Sequence, residues 1–244
     1  MSAMENVLTT LRVLEAVADH QPVGVSELSR VTQVPKTTVQ RSLETLRVAG
    51  WLERGEGGVW VLSLRCAVIG RRAGQRGAVR ELARPAMLRL HQATDESVRL
   101  WMQHGHSIVL VESIESLQPV RTVTPATFSG TLPIHAEAPG KAILALLPPA
   151  EQAELLREPL VALTPWTVTD PAELEAELAR VRADGYAVAR QEAVREVATV
   201  AAPITAEGRP VAALAVSLPL HRCTDDVVEQ LARLVVEAAA GVSV

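Results

Sequence analysis

Residues 34–62 read VPKTTVQRSLETLRVAGWLERGEGGVWVL, and this stretch decides the fold of the N-terminal part of the chain. Pro35 suits the first position of a helix, because its ring presets the helical φ and its missing N–H is not needed there. Val39 and Leu43 begin an apolar stripe at helical spacing. Gly50 supplies the backbone conformation that closes a helix. The stretch therefore predicts a helix over residues 35–49.

A short glycine hairpin is predicted directly after this helix. Residues 51–54 and 59–62 have the composition of two short strands, and Gly55-Glu56-Gly57-Gly58 forms the tight turn between them. Upstream, residues 6–19 predict an amphipathic helix, and Ser26 predicts the cap of a short second helix. Three short helices and a hairpin predict a winged helix-turn-helix, whose protruding helix enters a DNA groove about 12 Å wide.

The third helix carries polar groups opposite its apolar stripe. At about 100° per residue, that face holds Thr37, Arg41 and Glu44. Arg41 is the first choice for base readout, Lys36 for a phosphate, and Arg54 of the hairpin for an adjacent phosphate or the minor groove. The candidate DNA-contacting residues are Lys36, Thr37, Thr38, Gln40, Arg41 and Arg54. The alternative is a small helical domain with a solvated third helix.

Charge is distributed unevenly along the chain. Residues 1–91 hold 13 Lys and Arg against 8 Asp and Glu, whereas residues 92–244 hold 11 against 20. This asymmetry favours a polyanion partner for the first part alone. Much of the basic excess lies at Arg65, Arg71, Arg72, Arg76, Arg80, Arg84 and Arg89. One solvated helix face would explain these arginines equally well.

Composition excludes several classes of protein. Hydrophobic residues make up 48% of the 244 residues and charged residues 21%, which is typical of a chain with a substantial core. No apolar run reaches 18 residues, so no transmembrane helix is predicted. The first ten residues lack the pattern of a signal peptide, and two cysteines make no disulfide framework. We expect a cytoplasmic protein with reduced thiols.

Residues 65–92 predict a connecting helix, kinked or divided at Pro85. Its apolar stripe consists of Val79, Leu82, Ala83, Ala86 and Leu90. We expect dimerisation through this helix, because one helix-turn-helix covers too few base pairs for useful specificity. The predicted division is a DNA-binding domain at 1–64, a linker helix at 65–92 and a second domain at 93–244.

The second domain is predicted to be α+β, because short strands cluster with helices. The predicted strands are 98–102, 108–111, 120–124, 186–190, 199–204 and 211–218. One helix is predicted to begin at Gly140 and run to residue 147. A second is capped by Asp170 and stopped by Gly185, and a third covers residues 225–240.

Several short segments in a fixed order carry a resemblance. They are VPKTTVQR at 34–41, LPIHA at 132–136, GKA at 140–142, LTP at 163–165, GYAV at 185–188, AAP at 201–203 and VAALAVS at 211–217. With them the chain resembles the IclR family of bacterial transcriptional regulators over almost its full length. The resemblance implies a winged helix-turn-helix, a linker helix and an effector-binding domain similar to GAF and PAS folds. It also implies dimers, often paired into tetramers, on promoter DNA.

The resemblance further implies an effector pocket floored by the sheet and closed by the loop before the Gly140 helix. The matching positions are Leu132, Ala138, Pro139, Gly140, Ala189, Val197, Thr199, Ala215 and Ser217. An acidic residue is usual in the family near Ala189 and a serine near Ala215, so few groups remain here to bind a very small keto acid. We expect a larger, more apolar carboxylate, with aromatic acids among the candidates. Thr199 and Ser217 would donate hydrogen bonds, and Arg121 or Arg195 would pair with the acid group.

Other motifs have simpler explanations. His104 and His106 are interpreted as a solvent-exposed turn rather than a metal pair, and His135 as a structural hydrogen-bonding residue. Lys141 is equally consistent with a place beside the pocket and with the helix surface. Glu177 is interpreted, with three other acidic residues from 170 to 177, as capping and a solvated helix face.

Three classes of function remain open from the sequence. The leading one is a DNA-binding regulator, a repressor of a catabolic operon by resemblance, controlled by a small molecule. The second is an enzyme fused to a DNA-binding module, against which the sequence shows no nucleophile elbow, P-loop or metal cluster. The third is a constitutive DNA-binding protein with a vestigial pocket. We expect no cofactor and no catalytic residues.

Overall fold

The computed structural model describes residues 4–71, 75–122 and 130–243. Contacts divide the chain into two compact units, Met1–Gly77 and Ala78–Val244. This division falls inside the segment predicted as a linker, and the three-part division stays a prediction. None of the described helices is long and apolar enough to span a membrane.

The first unit begins with three helices. They are α1 (Glu5–His20), α2 (Val25–Thr32) and α3 (Lys36–Val48). Val39, Leu43 and Leu46 are buried, as their spacing predicted. The predicted cap was wrong for α2, because Gly24 is its N-cap and Ser26 lies inside the helix. Pro35 is the N-cap of α3 rather than its first residue, and its carbonyl accepts the first helical bond.

The predicted hairpin is confirmed. Strands β1 (Leu52–Arg54) and β2 (Trp60–Leu62) pair antiparallel around a 3₁₀ turn at Glu56–Gly58. Gly57 has φ +74°, a conformation that side chains resist. Val23 adds a bridge to Trp60, so the hairpin is joined to the segment before α2. The winged helix-turn-helix is therefore present.

Two helices follow the hairpin. They are α4 (Leu64–Arg71) and α5 (Gln75–Thr94). α5 continues through Pro85, so the helix is not divided there, and a kink at that proline stays a prediction. Four members of the predicted stripe are buried, but Leu82 is 47% exposed. Arg80 and Arg84 pair with Glu112. Arg65 and Arg89 are exposed, whereas Arg72 and the side chains of Arg71 and Arg76 lie outside the described residues.

The second unit is built on one antiparallel six-stranded sheet with the order β5-β4-β3-β8-β7-β6. Its strands are β3 (Ser97–His104), β4 (Ser107–Ile114), β5 (Thr131–Pro133), β6 (Ala187–Arg190), β7 (Val197–Ala206) and β8 (Arg209–Pro219). Its further helices are α6 (Ala138–Leu146), α7 (Pro149–Leu155), α8 (Pro171–Asp184) and α9 (Asp225–Ala240). Residues of α5 and α9 share one apolar core with the sheet, and residues of α6 and α8 share the other. The unit is α+β, as predicted.

One predicted strand in this unit was wrong, and one predicted helix begins earlier than expected. Residues 120–122 are not a strand, because the side chain of Thr122 bonds to Arg99 and to the Ser217 carbonyl instead of joining a ladder. Residues 123 and 124 lie outside the described part, and the edge strand is β5. Helix α6 begins at Ala138, two residues before Gly140, because Glu137 caps it.

Candidate functional site

The exposed face of α3 is the candidate DNA-contacting surface. Lys36, Thr37 and Arg41 are exposed, while Thr38 and Gln40 are half-buried. Among the described residues, neither Lys36 nor Arg41 has an acidic partner. Their charges are therefore available to a polyanion.

The turn between α2 and α3 is fixed by local bonds. Gln33 adopts the left-handed conformation with φ +56°, and its side-chain amide donates to the Arg30 carbonyl at 2.6 Å. The Ser29 hydroxyl donates to the Val34 carbonyl at 2.7 Å. These bonds set the angle at which α3 leaves α2, and hence the direction of its exposed face.

Glu44 is a carboxylate on the same side of the unit, and it holds two arginines. Arg47 Nε and Arg54 Nη2 each donate to it at 2.8 Å. Both hydrogen bonds lower the pKa of Glu44, and the bond from Arg47 has the larger effect. The Arg54 guanidinium also lies 4.7 Å from the centre of the Trp60 ring. The hairpin arginine is therefore tied to α3, and its contact to a phosphate or the minor groove stays a prediction.

In the second unit, the sheet face that packs against α6 carries small side chains. Directly opposed residues of neighbouring antiparallel strands share a face. One row across β6, β7, β8 and β3 is Ala189, Thr199, Ser217 and Ser97. The next row is Ala187, Ala201, Ala215 and Arg99. We call the alanines, Thr199 and Ser217 of these two rows the small-residue floor.

The structure brings most of the predicted pocket residues together at this floor. Ala189, Thr199, Ala215 and Ser217 are buried in it, and the Thr199 and Ser217 hydroxyls lie 3.2 Å apart. The first turn of α6, with Ala138, Pro139 and Gly140, is buried against the same sheet, and Leu132 is buried on β5, the edge strand of the sheet opposite to β6.

Gly140 is explained by close packing of the backbone. A Cβ built on it would lie 1.8 Å from the carbonyl oxygen of Ile134, so only glycine lets α6 approach the segment after β5. This contact sets the height of α6 above the small-residue floor.

Arg121 and Val197 lie elsewhere, on an open cleft of about 290 Å³. Arg195 and His221 also line this cleft, and the Arg195 guanidinium lies 5.7 Å from the ring centre of the exposed Trp166. Thr122 lines the cleft as well. Since Thr122 also contacts Arg99 and Ser217, it separates the cleft from the floor.

Two buried charged residues at the floor were missed by the sequence analysis. Arg99 is 0% exposed, and burial lowers its pKa against the opposing effects of Glu115 and Glu137. Glu137 caps α6 by accepting from the Ala138 N–H at 3.1 Å. Burial raises the pKa of Glu137 to about 7, although that N–H and the Thr199 hydroxyl both bond to the carboxylate. The alternation of the strand already placed Arg99 on the same face as Trp101, which was a usable signal.

Lys141 belongs to a buried ion cluster, so the interpretation as a helix-surface residue was wrong. Its Nζ lies 2.6 Å from carboxylate oxygens of Glu177 and Glu192, and its side chain is 1% exposed. Glu177 therefore does not simply face solvent, because its carboxylate pairs with the buried Lys141. Burial raises the pKa of Glu192 despite the attraction of Lys141. The cluster joins α6, α8 and the segment after β6.

The histidines have structural partners. His135 Nε2 is 3.1 Å from the Val161 carbonyl, which confirms a hydrogen-bonding role, and burial lowers its pKa. His106 Nδ1 lies 2.9 Å from the Leu155 carbonyl. Within the described ranges, no group of three or more His, Cys, Asp or Glu is placed to hold a metal ion.

Comparisons with known proteins identify the family. The family model "IclR helix-turn-helix domain" matches residues 8–56, and "Bacterial transcriptional regulator IclR C-terminal" matches residues 72–244. The chain belongs to the IclR family. It is 31% identical over 241 residues to the regulator KipR of Bacillus subtilis, covering 98% of this chain and 96% of that protein. It is 30% identical over 246 residues to the acetate operon repressor of Salmonella typhimurium, covering 98% and 89%.

Solved structures agree with this assignment. An IclR homologue from Microbacterium hydrocarbonoxydans, complexed with 4-hydroxybenzoate, matches with a TM-score of 0.82 and 29% identity over 98% of both chains. The IclR protein of Thermotoga maritima matches with a TM-score of 0.76 and 25% identity, again over 98% of both. This IclR-family chain is therefore a DNA-binding transcriptional regulator with a small-molecule-binding C-terminal domain, rather than an enzyme.

Proposed function

We propose that this chain represses a catabolic operon and that a small carboxylate, an aromatic acid first among the candidates, controls its hold on operator DNA. The observation that carries the proposal is the small-residue floor under α6. Alanine at positions 187, 189, 201 and 215 takes little space, and the polar groups described there are the hydroxyls of Thr199, Ser217 and Ser97 and the charged groups of Arg99 and Glu137. Such a lining favours an apolar ring with one acid group.

The proposal is also supported by two features outside this floor. The neighbour from Microbacterium hydrocarbonoxydans was crystallised with 4-hydroxybenzoate, an aromatic acid of the expected kind. The open cleft on the other side of Thr122 is lined by Arg121 and Arg195 against one acidic residue, Glu196, so its net positive charge would attract an anion to the neighbourhood of the floor.

On the DNA side, Lys36, Thr37, Thr38, Gln40, Arg41 and Arg54 are proposed to contact the operator. A dimer or tetramer would place two such helices on one palindromic site. Effector binding must then favour one arrangement of the DNA-reading units over another, since equal affinity for both would change nothing.

Footprinting on the DNA between this gene and its neighbour tests the DNA contacts. Gln40→Ala with Arg41→Ala is expected to abolish protection, whereas Arg157→Ala, an exposed arginine of the second unit, leaves it intact. Binding should weaken steeply with salt, because phosphate contacts release counterions. Undiminished protection by the double variant, with its fold intact by circular dichroism, would refute the assignment.

Calorimetry tests the class of effector. Benzoate and 4-hydroxybenzoate are expected to bind and to change operator affinity, and glyoxylate and pyruvate to bind weakly. Tight binding of glyoxylate or pyruvate without binding of the aromatic acids would overturn the proposed specificity. An operator affinity that no carboxylate changes would favour the constitutive regulator instead.

A further inference from the structure

Arg99 occupies the middle of the sheet in the second unit. It lies on β3 opposite Ala215 of β8, one row away from Ser217 and Thr199. Its side chain is fully buried on the face that carries the small-residue floor. An arginine in that position must find partners for its donors, because a buried guanidinium without them costs stability.

The partners that Arg99 has are incomplete. Nη2 donates to the two oxygens of Glu115 at 3.1 and 3.3 Å, and both Nη atoms reach Thr122 only at 3.4 Å. Charge-assisted bonds of this kind usually measure about 2.7–2.9 Å. Nε is buried and has no hydrogen-bond partner among the described residues. Glu115 is itself 40% exposed and shared with the hydroxyls of Ser97 and Ser113.

The surroundings of the unpaired Nε suit a ligand rather than a further side chain. The neighbouring positions on the same face are Ala215, Ala201 and Ser217, and none of these three carries a charge that could pair with the guanidinium. The carboxyl group of Glu137 is close enough to affect Arg99 electrostatically, yet burial favours its neutral form. The site therefore presents a permanent cation and a carboxyl group that can hold a proton.

We propose that Arg99 is the residue that binds the acid group of the effector. This inference rests on the proposed function, since it assumes a carboxylate effector. The carboxylate accepts two hydrogen bonds from the edge of the guanidinium that includes Nε, in the bidentate geometry typical of arginine. The ring of the effector lies on the small-residue floor, and the Thr199 and Ser217 hydroxyls lie one row away.

Arg121 and Arg195 serve a different step. Both line the open cleft, and Arg195 lies over Trp166. Charges in solvent raise the local concentration of an anion but contribute little to its final affinity. The buried Arg99 contributes more, because its donors have few competing partners.

The test is calorimetry on the full-length protein with benzoate and 4-hydroxybenzoate, each compared with its neutral amide. The wild type is expected to bind the acids at least about 10-fold more tightly than the amides. Arg99→Gln is expected to weaken acid binding by about 50-fold or more and to remove the preference over the amide. Arg99→Lys keeps a charge opposite Glu115, and its affinity for the acids should lie between those of the wild type and Arg99→Gln. It therefore tests the proposal even where Arg99→Gln fails to fold.

Two further variants separate the outcomes. Arg190→Gln is the matched control, since this arginine is on β6 of the same sheet, exposed, and paired with Asp225 at 3.3 Å. Arg121→Gln tests the cleft. Undiminished acid binding in both Arg99 variants, or a loss seen with Arg121→Gln instead, would overturn the role of Arg99 and leave the carboxylate effector standing. Failure of the wild type to bind any of the acids would overturn both.

Discussion

The carboxyl group of Glu137 gives the second unit a stability that depends on pH. Burial raises its pKa from the ordinary 4.5 to about 7. The folded chain therefore holds this proton more tightly than the unfolded chain. The resulting stability is fully present below pH 4.5 and is lost as the pH rises through about 7. A rise of about 2.5 pKa units corresponds to about 3 kcal/mol in the free energy of unfolding.

Glu137→Gln isolates this contribution. Glutamine is neutral at every pH, and its amide oxygen can still accept from the Ala138 N–H. The variant should match the wild type near pH 4.5 and exceed its free energy of unfolding by about 3 kcal/mol above pH 7. Glu192 titrates in both proteins, so its own contribution cancels in the difference except for its repulsion of the Glu137 carboxylate, which is a smaller cause of the raised pKa than burial.

The measurement is urea unfolding at several pH values, followed by pulsed hydrogen exchange of peptides from β7 and β8, so that the second unit is observed by itself. Glu158→Gln removes an exposed carboxylate of the same unit and serves as the control. A stability difference that does not change with pH, or a variant less stable than the wild type at pH 8, would refute the burial argument.

Three further predictions follow from single contacts. Gly140→Ala should lower the free energy of unfolding by about 3 kcal/mol, because the added Cβ meets a backbone oxygen. Gly70→Ala is the control, since a Cβ there meets open space and should not destabilise the protein. Thermal unfolding compares the two variants. Glu44→Gln should free two arginines, raise operator affinity and steepen its salt dependence in a titration by fluorescence anisotropy; a weaker complex would contradict this. Lys141→Met should cost about 3–5 kcal/mol in urea unfolding, and adding Glu192→Gln should recover much of that loss; no recovery would refute the pairing.

Much of the fold can be predicted from local sequence signals. Asp170 accepts from the backbone N–H groups of Ala172 and Glu173, and Gly185 ends α8 with φ +80°, as the sequence predicts. The hairpin between β1 and β2 follows in the same way from its glycines. Such signals act over a few residues, so the sequence alone exposes them.

Two of the errors arose where distant segments decide. The residues at 120–122 alternate like a strand, but Thr122 bonds to Arg99 and Ser217, which are far away in the sequence. The burial of Lys141 depends on Glu192, fifty-one residues later. Helical spacing and charge alone could not distinguish a surface lysine from this one, because the deciding partner belongs to another element.

The destabilising effect of the buried Arg99 and Glu137 offers a way to distinguish a working pocket from a vestigial one. Arg99, with its unpaired Nε, and Glu137, with its raised pKa, each destabilise the folded chain relative to apolar residues of similar size. In a constitutive regulator, replacing them would increase stability at no functional expense. If a carboxylate binds there, the same replacement stabilises the free protein and removes its response to the acid. Measuring stability and acid response in one Arg99→Met, Glu137→Gln variant therefore distinguishes the two kinds of pocket, since only in a working pocket is the gain in stability accompanied by loss of the acid response.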